Sequence, residues 1–420
     1  MAEQTGAASL PEIRVPTTLT FAGLAAGLIV GLTLRGTSAL EPLLSVAEPF
    51  GALWLRALQM TILPLVAGLL FTGIVQTAAA ARAGAMARRT LGLIVAVLAA
   101  GGVLAAFAMP LLLELAPVPE RAAQALSGGA PDGPQAVPGL ADFLASLLPG
   151  NIVEASAADA MLPVVVFIAL FALAASRLAE APRRQLALFF EAVAGAMMVV
   201  IGWVLMLAPL GVFALALGVA AKSGTAAIGA LAHYIALVSS IGAMILIAAY
   251  LLASLAGRHS PGAFARAVLP AQAVAISTQS SLASLPAMLA ACRKLGVRES
   301  SAEFVLPLAV AIFRATSPAM NLAVVIYAAE LTGVALSPGV LAAGIGVAVL
   351  LSLSTVSLPG TISFVATIGP IALAMGVPIE PLALLVAVEM LPDIMRTLAN
   401  VTMNVAVTAA VDKGAGTPED

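Results

Sequence analysis

Apolar stretches long enough to cross a bilayer recur along this chain, at about 18–34, 50–78, 90–113, 160–178, 187–220 and 226–256. About 20 consecutive apolar residues span the hydrocarbon core as a helix. Composition agrees: 61% of the 420 residues are hydrophobic, only 10% are charged, and the mean hydropathy is +1.10. Soluble domains carry about 25% charged residues, so the chain is read as an all-α integral membrane protein with many spans. The net charge of −2 offers nothing to a nucleic acid, and none is expected as a partner. A single cysteine, Cys292, excludes an internal disulfide framework and any multi-thiolate metal site. The polar start, "MAEQTGAASLPEIRVPTT", lacks the basic region and short apolar core of a cleaved signal peptide. The first apolar run is therefore expected to stay in the mature protein.

After residue 256 the pattern changes. Residues 262–296 and 338–376 are each hydrophobic but broken near the centre, by "STQSSLASLP" (Ser277–Pro286) and "SLSTVSLPGT" (Ser352–Thr361). The breaks echo one another as "SLASLP" and "STVSLP", and an apolar helical stretch follows each, at about 302–333 and 380–411. Paired interruptions of this kind point to inverted repeats with a site at the bilayer midplane. Irregular backbone at depth must line protein or a cavity, where its free N–H and C=O groups find partners. Two ordinary spans with tolerated kinks are the plainer alternative.

Basic residues set the orientation. Arg82, Arg88 and Arg89 follow the second span, and Arg183 and Arg184 follow the fourth. Arg258, Arg266, Arg293, Lys294 and Arg298 flank the first broken segment. With eight true spans and both termini cytoplasmic, all three clusters share one face. The first broken segment then enters as a re-entrant hairpin from the cytoplasm and the second from outside.

The densest chemistry lies in "VEMLPDIMRTLANVTMN". Asp393, Arg396, Thr397, Asn400 and Asn404 fall at i, i+3, i+4, i+7 and i+11, one face of a helix, and Glu389 extends the stripe by a turn. Inside a membrane such a stripe faces a cavity or paired groups. The guanidinium suits a carboxylate in bidentate fashion and the nearby aspartate suits an ammonium, which together describe an acidic amino acid. An Asp393–Arg396 ion pair that only joins helices is the plainer reading. "AIFRATSPAMN" adds a second buried charge, Arg314, whose guanidinium costs about 2.5–3.5 kcal/mol at a helix centre on insertion scales.

These motifs together resemble the dicarboxylate/amino acid:cation symporter family, the glutamate transporter homologues, over nearly the whole chain. "LRALQMTILPLVAGLLFTGIV" is similar to the family's second helix and "LAPLGVFALAL" to its fifth. "STQSSLASLP" is similar to its first hairpin, "VSLPGT" to its second hairpin tip and "DIMRTLANVT" to its last helix. The resemblance implies eight transmembrane helices plus two re-entrant helical hairpins, assembled as a homotrimer in the lipid bilayer. It implies a scaffold of helices 1–2 (15–80) and 4–5 (140–222). A transport domain of helix 3 (86–115) and residues 226–413 would move across the membrane like an elevator. That second part comprises helix 6, hairpin 1 (about 262–296), helix 7 (about 302–333), hairpin 2 (about 338–376) and helix 8 (about 380–412).

Carried over by position, Arg396 would bind the substrate's side-chain carboxylate and Asp393 its ammonium, with Thr397, Asn400 and Ser317 adding contacts. Ser280 and Ser281 would hold the α-carboxylate, and the tip Val356–Gly360, including Leu358 and Gly360, would gate the outside. Dicarboxylate carriers lack the aspartate and neutral amino acid carriers lack the arginine, so having both favours aspartate or glutamate. The family's cation sites do not carry over. Where its seventh helix reads NMDGT this chain reads "FRATS", putting Phe313 and Ala315 at ligand positions, and the second sodium-binding aspartate matches Asn404. Third-helix hydroxyl positions match Gly101 and Gly102. No cofactor and no intact sodium site are expected. Arg314, at the methionine of that motif, is read as a tethered substitute for the coupling cation, with Asp393, Glu389 or the substrate as its counter-charge.

Proton coupling stays open. The glutamate of proton-coupled relatives matches Asn321, and their extra arginine positions match Gln279 and Ile394, leaving Glu389 and His233 as titrating groups. The alternative function is a sodium- or proton-coupled symporter for dicarboxylates or amino acids, and an anion channel is a further class. An intramembrane enzyme is excluded by the absence of a His/Cys/Asp cluster and of a membrane lysine to pair with a serine. A bacterial inner membrane is the expected location.

Overall fold

The structure, a computed structural model, describes residues 16–81, 84–118, 145, 147–158, 160–354 and 360–414. Every described element is helical. In chain order they are α1 (Thr17–Thr33), α2 (Leu40–Ala80), α3 (Ala85–Leu115), α4 (Ile152–Ala157), α5 (Met161–Ala175), α6 (Glu180–Met206), α7 (Ala208–Ser223) and α8 (Ala226–Leu255). There follow α9 (Pro261–Thr278), α10 (Leu285–Lys294), α11 (Glu299–Ile312), α12 (Ser317–Thr332), α13 (Pro338–Ser354), α14 (Gly360–Ala374), α15 (Glu380–Leu385) and α16 (Met390–Gly414). Six described stretches are long and apolar enough to cross a membrane, counting 299–332 as one, and four shorter apolar helices accompany them. The chain is an integral membrane protein.

Three apolar runs expected as single helices are interrupted. The run 187–220 is two helices, α6 and α7; the run 302–333 is α11 and α12; and 380–412 is α15 and α16. A proline lies shortly after each break: Pro209, Pro318 and Pro392. A proline ring clashes with the carbonyl four residues earlier and donates no N–H, which places the conflict at residues 205, 314 and 388. Prolines are also carried inside helices here, as at Pro64, Pro110 and Pro307. At two of the breaks the freed backbone groups have other partners. Trp54 Nε1 donates to the Val204 carbonyl at 3.0 Å beside the first. At the second, the Thr316 N–H donates to Asn400 Oδ1 at 2.9 Å.

The first broken segment forms α9 and α10 around a tip at 279–284. Ser260 caps α9 through the Ala263 N–H, and α9 ends at Gln279 in a left-handed conformation, φ 49°. The second broken segment forms α13 and α14; its tip at 355–359, including Leu358, lies outside the described residues, and Gly360 opens α14.

α1 lies along α7, and α2 packs on α5, α6 and α7. Gly23 and Gly27 permit the first contact, since a Cβ there would come within 2.3 Å of the Pro209 carbonyl oxygen and 2.5 Å of that of Phe213. Small residues let membrane helices approach in this way. α8, α9 and α11 pack around α16, α3 lies against α12, and α13 and α14 sit between α12 and α2. α12 and α16 thus run through the interior, which is why the polar residues of α16 are buried.

Candidate functional site

Two interrupted backbones and one continuous helix meet at one pocket. It is lined by Gln279 and Ser281 of the first hairpin tip, and by Val310, Phe313, Arg314 and Ser317 around the α11–α12 break. Asp393, Arg396, Thr397 and Asn400 of α16 complete it. Of the residues expected to bind substrate, Ser281, Ser317, Asp393, Arg396, Thr397 and Asn400 are brought together here. Ser280 is not part of the lining. Its hydroxyl accepts from the Ala283 N–H and its carbonyl accepts from Ser284, so it shapes the tip itself.

Arg396 is the hub. Its Nη2 donates to Glu389 Oε1 at 2.5 Å, its Nη1 donates to Asn321 Oδ1 at 2.7 Å, and its Nε lies 3.4 Å from Asp393 Oδ1. The closest carboxylate is therefore Glu389 and not Asp393. Glu389 does not extend the helical stripe as expected; it sits in the turn between α15 and α16, because helix continuity fails ahead of Pro392. From there it reaches Arg396 while its Oε2 accepts from the Tyr234 hydroxyl at 2.8 Å. Only 2% of Glu389 is exposed, and a charge buried so deeply persists only when paired and hydrogen-bonded.

Asn321 is held by donating to Ser317 Oγ at 3.0 Å and Thr367 Oγ1 at 2.8 Å, which aims its oxygen at Arg396. Asn400 Oδ1 accepts from both the N–H and the hydroxyl of Thr316, so its carbonyl side braces the break. A guanidinium has five N–H donors. Among the described residues, the bonds to Glu389 and Asn321 use one hydrogen on each terminal nitrogen, and each of those nitrogens carries a second hydrogen.

Arg314 lies half-buried in the same lining. Asp393 is the carboxylate that attracts it, and Arg396 repels it. Asp393 thus acts on both arginines of the lining, with Arg396 Nε at 3.4 Å. His233 is placed away from the pocket: Nε2 is 2.8 Å from the Ala116 carbonyl oxygen and Nδ1 is 3.2 Å from the Tyr327 hydroxyl.

Positions matched to cation ligands carry no carboxylate here. A Cβ on Gly101 would lie 3.5 Å from the Ala315 carbonyl oxygen, which makes those two positions neighbours; Gly102 faces Ile345. Phe313 is 1% exposed and Ala315 fully buried. Asn404 is also fully buried, and its side-chain oxygen and nitrogen meet no hydrogen-bond partner among the described residues. Among those residues no group of three His, Cys, Asp or Glu side chains could hold a metal ion.

Sequence reasoning missed Tyr234, which lies 155 residues from Glu389 in the chain and has no spacing relation to it. It also passed over Asn321 as a binding group, reading it only as a lost glutamate.

The model of the sodium:dicarboxylate symporter family matches residues 17–414. The chain is 29% identical over 410 residues to a proton/sodium-glutamate symport protein of Bacillus subtilis (strain 168), covering 94% of this chain and 92% of that one. It is 29% identical over 276 residues to a proton/glutamate-aspartate symporter of Escherichia coli (strain K12), covering 66% and 62%. It is 26% identical over 276 residues to a C4-dicarboxylate transport protein of Laribacter hongkongensis (strain HLHK9), covering 65% and 61%.

Proposed function

Since this chain belongs to the sodium:dicarboxylate symporter family, a family of membrane transporters and not of enzymes, we propose that it carries aspartate or glutamate across the bilayer without sodium. The observation behind this reading is the pairing, in one pocket, of an arginine and an aspartate beside it. The side-chain carboxylate docks on the two remaining N–H groups of Arg396. The ammonium docks on Asp393, and the α-carboxylate meets the hairpin tip at Ser281. Thr397 and Ser317 offer hydroxyls to the polar ends of the substrate. Arg314 supplies, from inside the protein, positive charge that a bound cation would otherwise bring, and it is permanently ionised. The loss of side-chain ligands at Phe313, Ala315 and Gly101 supports the sodium independence.

Transport follows an elevator path in this reading, with α1, α2, α5, α6 and α7 as scaffold and the remaining membrane helices as the moving part. The packing of α1 and α2 on α5–α7, and of α8, α9 and α11 on α16, supports that division. The working form is a homotrimer in a bacterial inner membrane, with both termini cytoplasmic, as the basic clusters at Arg88–Arg89 and Arg183–Arg184 suggest. The tip of the second hairpin gates the outer side. Coupled symport is the second reading, favoured by what the relatives' names say of those proteins.

Asp393→Ser separates an ammonium site from a structural ion pair. Calorimetric titration is expected to show at least about a tenfold loss for aspartate, one step of 1.4 kcal/mol, and a smaller loss for succinate, which has no ammonium. Equal losses for both, or a larger loss for succinate, would remove Asp393 from the ammonium site.

A further inference from the structure

Arg396 is already crowded with negative charge. Its Nη2 meets Glu389, its Nε lies 3.4 Å from Asp393 Oδ1, and its Nη1 is held by Asn321. Such a guanidinium can take one carboxylate of an acidic amino acid on its remaining hydrogens, and the two carboxylates beside it repel any further one. The substrate's other carboxylate is left to the hairpin tip, where Gln279 and Ser281 offer only neutral hydrogen bonds. A carboxylate withdrawn from water persists only when it is both paired and hydrogen-bonded. Arg314 is the other cation in the described lining. Resting on the acidic-substrate reading above, we infer that Arg314 binds the substrate directly, its guanidinium pairing with the α-carboxylate that Ser281 hydrogen-bonds.

The placement fits the substrate's own order of charges. In aspartate and glutamate the ammonium and the α-carboxylate leave the same carbon. The group that takes the α-carboxylate must therefore stand beside the group that takes the ammonium. Asp393 is the ammonium's partner, and it is the carboxylate that acts on both Arg396 and Arg314. Positive, negative and positive groups thus complement carboxylate, ammonium and carboxylate. The local fold keeps Arg314 at the wall. Helix α11 ends at Ile312 and α12 begins at Ser317, and Phe313, Arg314 and Ser317 around that break all line the pocket. The Arg314 carbonyl accepts from the Ser317 N–H at 2.9 Å, which ties its backbone to the first turn of α12. The positive end of the α12 dipole adds to the attraction for an anion there. Phe313 and Ala315 are buried whereas Arg314 is only half-buried, as a side chain that meets a substrate must be. Its planar fork suits both oxygens of a carboxylate. The charge of Arg314 thus works through contact and not only as a background field.

The test pairs truncation of the substrate with truncation of the residue. Asparagine lacks the side-chain carboxylate, and isoasparagine, the α-amide of aspartate, lacks the α-carboxylate at nearly the same size. Calorimetric titration of purified full-length protein, with competition against aspartate for the weaker ligands, gives Kd for wild type and Arg314→Met. The substitution is expected to weaken aspartate and asparagine by at least about tenfold, the loss of one charge-assisted contact, and to leave isoasparagine nearly unchanged. Equal losses for the two amides would reduce Arg314 to a background charge, overturning the inference and leaving the acidic-substrate reading standing. A larger loss for isoasparagine would put Arg314 on the side-chain carboxylate, and no loss for aspartate would take it off the substrate; either overturns the inference. Should Arg314→Met fail to fold, Arg314→Lys keeps the charge and loses the fork. The same ranking of losses, smaller in size, is then expected, and wild-type affinity for all three ligands counts against the proposal. Should the amides bind too weakly to rank, a structure of wild type with aspartate bound decides. It is expected to show a guanidinium nitrogen of Arg314 within about 3 Å of an α-carboxylate oxygen, and an α-carboxylate held without Arg314 overturns the inference. No binding of any acidic amino acid by wild type would sink the functional reading itself and this inference with it.

Discussion

Replacing Arg396 by alanine is expected to lower affinity for aspartate and glutamate by at least about 100-fold, since two charge-assisted hydrogen bonds contribute about 1.5–3 kcal/mol each. The same change has a second consequence. It leaves Glu389, only 2% exposed, with the Tyr234 hydroxyl but without its cation. Removing one member of a buried ion pair destabilises by about 3–5 kcal/mol, so Arg396→Ala is also expected to melt well below wild type. The two effects separate in the double variant Arg396→Ala, Glu389→Gln. There the orphaned charge is gone, and much of the thermal stability is expected to return while binding stays lost. Unchanged affinity in any folded variant lacking Arg396 would take it out of the site. Recovery of binding in the double variant would show that the single change had acted only through folding.

The second large effect is expected at Arg314. Its substitution by methionine keeps much of the length and apolar stem but removes a charge that Asp393 attracts. If Arg314 stands in for a cation, sodium-free uptake should fall by about 10- to 100-fold, or one to two steps of 1.4 kcal/mol. Its companion measurement is the sodium response, which should stay flat because the positions around Gly101 and Ala315 still offer no carboxylate. Sodium-free uptake at the wild-type rate would leave Arg314 as a residue that merely braces the α11–α12 break. The position argues for more than bracing. The break already has a brace of its own in Asn400, whose side-chain oxygen takes both the N–H and the hydroxyl of Thr316.

Much of this site was legible from residue spacing alone. Asp393, Arg396, Thr397 and Asn400 recur at helical intervals, and that periodicity survives folding because α16 is continuous through them. Glu389 was expected one turn earlier on the same face, and there the extrapolation failed. α16 begins only at Met390, with Pro392 in its first turn, and the carboxylate reaches Arg396 from the preceding turn instead. The first broken segment was legible as an apolar run with a polar centre, and α9 and α10 fall close to its expected limits. The breaks in the runs 187–220 and 302–333 were not, because prolines also sit inside intact helices here and only tertiary partners decide between kink and interruption. Tyr234, Asn321 and Thr367 owe their roles to contacts between α8, α12, α14 and α16 that no local pattern encodes.

The central claim is that the positive charge other carriers take from sodium is built into this chain. Uptake of labelled aspartate into liposomes holding the purified protein, with sodium replaced by choline on both sides, tests it most directly. The account predicts saturable uptake at an unchanged rate in choline. Collapse of uptake on removing sodium, with recovery when sodium is restored, would contradict it.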